Sequence, residues 1–324
     1  MDVLSNVLQS VRLNGAVFFD VRACDPVVAE TPNMKLIGHR VMPGASHVIP
    51  FHIMLRGSCW VEDTESPQPP VQFREGDVIF YPHGHGHIFV SNIGDRLEPD
   101  LDLYRRPGDS QLPIMMDLDD SGRSSMHFVC GYFACAESPF NPLLEALPLR
   151  VLSPRPENGN HIEVDLIHSA LRERDAQRAG GEAVLSKLSE LLFVRVLRRH
   201  IESLPEHSKG WLAGMRDDGV RRALQLMHGQ PQAAWTLNGL AKESGLSRAV
   251  LSERFTSVIG HSPMRYLALW RMQLAAQYLR DTNIPLEEIA SQVGYQSESA
   301  FIRAFRTIVG DPPGAWRRAQ QRQA

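Results

Sequence analysis

Three histidines alternate along one short stretch, His83, His85 and His87, and His52 stands earlier in the chain. Neutral imidazole is a common ligand for zinc or iron. Alternate residues of an extended strand share a face, so this spacing can place several imidazoles on one side. Four cysteines, Cys24, Cys59, Cys130 and Cys135, supply the other reactive group. Their spacing is not that of a disulfide scaffold in a short secreted chain, so reduced thiols are expected. Cys130 lies in an apolar run and Cys59 sits between Ser58 and Trp60; both read as small buried hydrophobes. Cys24 falls in a loop beside Asp25-Pro26 and is the redox candidate, against which the adjacent carboxylate works by disfavouring a lowered thiol pKa.

Such groups need a scaffold, and between residues 15 and 133 the pattern is β. The runs Ala16–Phe19, Ile49–Leu55, Val71–Phe73, Val78–Tyr81, Ile88–Val90 and His127–Phe133 are separated by Gly and Pro, as in a sandwich or barrel. From 161 to 204 the period changes to helical. Ile162, Leu166, Ile167 and Leu171 mark one face of a first helix. A second, after Gly180-Gly181, carries Val184, Leu185, Leu188, Leu191, Leu192, Val194, Val196 and Leu197. That is more apolar surface than a single stripe needs, and it makes Leu188, Leu192 and Leu197 candidates for a homodimer contact.

The C-terminal third repeats one punctuation twice, about 50 residues apart: Leu240-Ala241, Gly245, Leu251, Phe255, Gly260, Pro263, then Ile289-Ala290, Gly294, Phe301, Phe305, Gly310, Pro313. Each copy has a short helix, a Gly suited to left-handed backbone, a Ser able to cap the next helix, and apolar residues four apart. This is the outline of a helix-turn-helix, whose second helix enters the major groove of DNA. Between the copies, Ser262-Pro263 opens a helix marked by Tyr266, Leu267, Trp270, Leu274, Ala275, Tyr278 and Leu279, a rigid spacer of about 27 Å.

Charge follows the same division. The whole chain holds 34 basic and 37 acidic residues, a net of −3; from Trp211 onward 14 basic residues face 9 acidic, a net of +5, which leaves −8 for the rest. Such asymmetry suits a DNA-facing module joined to a differently employed partner. At 324 residues and 43% hydrophobic, the chain has room for two cores. No stretch approaches 18 consecutive apolar residues and no basic region precedes an apolar run at the N-terminus, so a cytoplasmic protein without a membrane partner is expected.

The segment "RMQLAAQYLRDTNIPLEEIASQVGYQSESAFIRAFRTIVGDPPGAWRR" resembles the signature of the AraC/XylS family of bacterial transcription regulators, and the likeness runs from about Asp217 to Arg318. The resemblance implies base contacts from Ala249, Ser252 and Glu253 on the first recognition helix, and from Glu298, Ser299 and Arg303 on the second. Arg248 and Arg254 would meet phosphates. Arg303 has the chemistry to grip guanine O6 and N7 with a forked guanidinium. The segment "GDVIFYPHGHGHIFVSN" resembles the second motif of the cupin barrel, through Gly76, Pro82, Gly84, His87 and Asn92. The rest of the N-terminal half is similar to the cupin-type sensor of one AraC-like subgroup, in which helices at 161–204 commonly dimerise.

The first cupin motif of metalloenzymes is degenerate here: His52 has no second His two positions on, and Glu62 is too distant. The expectation is therefore an α+β chain of two domains with no catalytic residues, metal or cofactor. Residues 1–160 form a cupin-like β-barrel sensor, 161–204 a dimerisation hairpin, 205–214 a linker, and 215–320 an all-α double helix-turn-helix. His52, Trp60, His85 and His87 would line an effector site. The expected partners are double-stranded operator DNA, a small-molecule effector, a second copy of the chain and RNA polymerase. A cysteine-based oxidant sensor, and a metal-dependent cupin enzyme fused to a DNA-binding domain, are the alternatives.

Overall fold

The computed structural model describes residues 2–11, 13–104, 113–118, 124–135, 139–155, 162–175, 180–205 and 208–323. Among the described residues ten strands run in order: β1 (Asn14–Ala23), β2 (Val28–Thr31), β3 (His47–Arg56), β4 (Ser58–Asp63), β5 (Val71–Arg74), β6 (Val78–Phe80), β7 (His87–Val90), β8 (Ile114–Asp117), β9 (Met126–Cys135) and β10 (Val151–Ser153). They form a six-stranded sheet, β10-β6-β3-β9-β1-β8, and a four-stranded sheet, β2-β7-β4-β5. Side chains of both sheets, among them Phe19, Met54, Phe73, Phe89 and Phe128, meet in one core. The cupin-like domain is thus present as two facing sheets. β2, β4, β8 and β10 have no counterpart among the sequence-predicted strands, since they are short or lack a clean run of β-forming residues.

The helices are α1 (Val3–Val11), α2 (Met34–Val41), α3 (Pro142–Ala146), α4 (Ile162–Asp175), α5 (Gly181–Ser203), α6 (Trp211–Gly214), α7 (Asp218–Gly229), α8 (Leu237–Glu243), α9 (Arg248–Ile259), α10 (Pro263–Asp281), α11 (Leu286–Gln292), α12 (Glu298–Val309) and α13 (Pro313–Gln323). α4 and α5 make the expected hairpin, and α5 packs on β1. The contact is close: a Cβ on Gly15 would stand 2.8 Å from the Ser189 Cβ. Phe193 enters the outer face of the large sheet, its ring 5.0 Å from Phe133 and 5.5 Å from Phe80. This corrects the reading of α5, because Leu192 and Leu197 are buried within the chain itself. Covering a sheet on both faces needs an outer layer, which α5 supplies, and burial of these leucines contributes about 2 to 3 kcal/mol each. Leu188 is half-buried.

The chain packs as two units. The strands with α2, α4 and α5 form one; α1, α3 and α6 to α13 form the other. Within the span expected for the sensor, residues 1–12 and 136–146 pack with the helical unit. Gln273, fully buried on α10, accepts from the Phe140 amide at 3.2 Å and donates to the Ser10 carbonyl at 3.4 Å. The sequences before β1 and after β9 are thus both held on the helical unit. Of the expected linker, residues 206 and 207 lie outside the described residues, and α6 occupies its last part.

Candidate functional site: the recognition helices and the sensor cavity

In the helical unit, local sequence sets both recognition helices. Ser247 accepts from the Val250 amide at 3.2 Å to start α9, and Ser297 accepts from the Ala300 amide at 3.3 Å to start α12. Gly245 and Gly294 turn the chain before them at φ 70° and 84°. Leu251 with Phe255, and Phe301 with Phe305, are fully buried. The opposite faces are therefore bare: Arg248, Ala249, Glu253 and Arg254 on α9 and Glu298, Ser299 and Arg303 on α12 are exposed, and Ser252 is half-buried. The Ser299 hydroxyl lies 3.2 Å from the capping hydroxyl of Ser297. α10 spans 19 residues with Pro263 in its first turn, but the Ser262 side chain makes no capping bond.

Arg271, which the sequence pattern does not single out, joins the two copies. Its guanidinium donates to the carbonyls of Pro231 and Ala233, each at 2.8 Å, and lies 5.7 Å from the centre of the Tyr295 ring in the second turn. His228 is a second feature without a sequence signal. Its ring stacks at 4.0 Å on Trp270, its Nε2 lies 2.8 Å from the Tyr266 hydroxyl, and burial holds its pKa down at about 3.

In the sensor unit, the expected alignment of imidazoles fails because β7 begins only at His87 and the chain turns at Gly84, where φ is 70°. His83 points to the Leu147 carbonyl, 2.9 Å from its Nε2. His52 and His87 do meet. The His85 carbonyl can only accept, so His87 Nδ1 donates to it at 3.0 Å. His87 Nε2 then accepts from His52 Nε2–H at 2.6 Å, and His52 Nδ1 accepts from the Cys130 thiol at 2.9 Å. Tyr81 stacks on His87 at 3.7 Å. Burial takes His87 down to about 3 and His52 well below its ordinary value, and it pushes the Cys130 thiol far up and the Cys59 thiol to about 12. The chain from Cys130 to His85 is thus neutral. Cys130 meets the ring nitrogen of His52 opposite the one facing His87, so the three donors do not converge on a point. Among the described residues, no group of three or more His, Cys, Asp or Glu is placed to hold a metal ion.

The acid response follows. His87 takes its proton near pH 6.5 when unfolded and near pH 3 when folded, so the unfolded state binds more protons between these values. Stability therefore falls as pH drops through that window, by about 1.4 kcal/mol per pH unit for this one group. Chemical denaturation between pH 7 and 5 reads the slope, and His87→Phe should flatten it by one proton. An unchanged slope would assign the proton uptake elsewhere.

A cavity of about 300 Å³ opens beside this chain, lined by Phe19 and Val21 of β1, Phe128 and Cys130 of β9, Phe89 and Tyr104. None of His52, Trp60, His85 and His87 lines it. Cys59 and Val61 are buried in the core between the sheets, so the alternation of β4 turns Trp60 to the other side, where it borders a separate hollow with Gln72 and Ser91. His85 is half-buried, and Cys24 is half-buried in the loop after β1.

Residues 2–202 match the family model described as cupin, and residues 240–319 match one described as a helix-turn-helix domain. A putative AraC-like transcription regulator of Streptomyces lividans is 31% identical over 280 residues, which span 85% of this chain and 88% of that protein. The chain belongs to the AraC-like transcription regulators. The regulator AlkR of Acinetobacter baylyi is 27% identical over 98% of this chain and 99% of its own length. The RCS-specific activator RclR of Escherichia coli is 31% identical over 49% of this chain and 57% of its own length. As an AraC-like regulator, the chain binds DNA through its C-terminal unit, where α9 and α12 present their free faces. No helix among the described residues is long and apolar enough to cross a membrane.

Proposed function

We propose that this regulator reads an operator through α9 and α12 and is controlled by a small molecule held between the sheets of its sensor unit. The observation that carries the reading is the cavity, a space of about 300 Å³ between the sheets and open at one mouth, in a protein family whose DNA-binding end is separately complete. Arg303 and Glu298 with Ser299 face base edges, Ala249, Ser252 and Glu253 read the first half-site more weakly, and Arg248 and Arg254 hold phosphates. An effector that binds one state tenfold better than the other shifts operator affinity by the same factor, about 1.4 kcal/mol.

No catalysis is required. The fused-enzyme alternative needs three or more ligands that converge, whereas Cys130 meets the ring nitrogen of His52 turned away from His87. The cysteine-sensor alternative would have to use Cys24, because burial keeps the Cys59 and Cys130 thiols protonated. The regulator acts in the cytoplasm as a homodimer in contact with RNA polymerase. Its self-contact is the free face of α5, where Val184, Leu188 and Leu191 recur at helical spacing and Val184 and Leu191 are 40% and 46% exposed.

Genome-wide mapping of bound sites, followed by operator binding of the purified chain with and without candidate effectors drawn from the neighbouring genes, tests the reading. A bulky residue inside the cavity should abolish the response and keep basal binding. A response that survives a filled cavity would place the control elsewhere.

A further inference from the structure

The chemistry of the cavity wall limits what can enter. Two of its inner polar groups are already engaged: the Tyr104 hydroxyl donates to the Glu30 carbonyl at 2.6 Å, and the Cys130 thiol donates to His52. Apolar side chains make up most of the remaining wall, so a strongly polar ligand would leave groups of its own unpaired. The mouth is apolar as well. Leu97, Leu103 and Leu118 line it at 55%, 47% and 43% exposure, three of the nine large apolar side chains that stand exposed among the described residues. Such a cluster at one opening marks a path for apolar matter rather than scattered surface leucines. The charges at the rim are of one sign, from Glu30, Glu98 and Asp100. Burial raises the pKa of Glu30 itself, with Arg96 opposing more weakly, so the wall already penalises one carboxylate.

We propose that this cavity takes an uncharged, predominantly hydrocarbon molecule of roughly ten to twelve carbons, about twice the benzene held by a 150 Å³ cavity, and rejects carboxylates. Binding stands on the cavity alone; its regulatory consequence rests on the effector-controlled reading above.

Naphthalene and 1-naphthoate, which share a ring system and differ in charge, are the probes. Fluorescence titration of the full chain should show one naphthalene bound, at least tenfold tighter than 1-naphthoate. Ala29→Phe, which fills the cavity from the edge strand β2, should remove naphthalene binding, and Met116→Trp serves if that variant does not fold. Glu98→Lys should raise the affinity for 1-naphthoate several-fold. Absent naphthalene binding, equal affinities for the two probes, or naphthalene binding indifferent to a folded cavity-filled variant would overturn the proposal. Cavity-confined naphthalene binding that leaves affinity for the mapped operator unchanged would leave the ligand class standing and remove the effector reading.

Discussion

Replacing Arg303 by alanine is expected to weaken operator binding by about 1 to 3 kcal/mol and to relax the preference at one base pair. Arg303 is exposed on the face of α12 opposite the buried Phe301 and Phe305, and Thr307 donates to its carbonyl at 2.8 Å one turn on, so the helix around it is ordered. A guanidinium there meets guanine O6 and N7 with two parallel bonds, and alanine loses both. Arg248→Ala is expected to act differently. It stands at the start of α9, where a cation neutralises phosphate, so its loss should weaken all sequences alike and lower the salt dependence. Selection of bound sequences from a random pool compares the two variants directly. Base preferences that are unchanged in Arg303→Ala would remove the specificity assigned to that side chain.

The second large effect separates neighbouring residues of α5. Leu192→Glu should unfold the sensor unit, because position 192 is fully buried within the chain and a carboxylate placed there would lose its hydration. Leu191→Glu should leave the fold intact, since that side chain is 46% exposed. If the free face of α5 is the self-contact, Leu191→Glu sediments as a folded monomer while the parent chain sediments as a dimer. Thermal denaturation and sedimentation of the two variants give both readings. A Leu191→Glu chain that stays dimeric would move the self-contact off this face.

The duplicated helix-turn-helix was legible in the sequence because everything that defines it is local. Ser247 and Ser297 cap helices three residues away, Gly245 and Gly294 take left-handed backbone where they stand, and apolar residues four apart must face one core. For the sensor, alternating runs of β-forming residues identified six of the strands. Local pattern could not say which face of β4 looks inward, and so could not show that Trp60 lies on the side away from the core; nor could it separate the two apolar faces of α5, one of which covers a sheet. The His83-His85-His87 spacing suggested a shared face only on the assumption of a continuous strand, and the turn at Gly84 breaks it. What tertiary structure alone decided are the meetings of remote residues: His52 between Cys130 and His87, Tyr104 over the cavity, Arg271 between the two helix-turn-helix copies, and Gln273 holding Ser10 and Phe140. These depend on chain segments brought together across tens to hundreds of positions, where hydrogen bonding and packing are satisfied between partners that no short stretch of sequence contains.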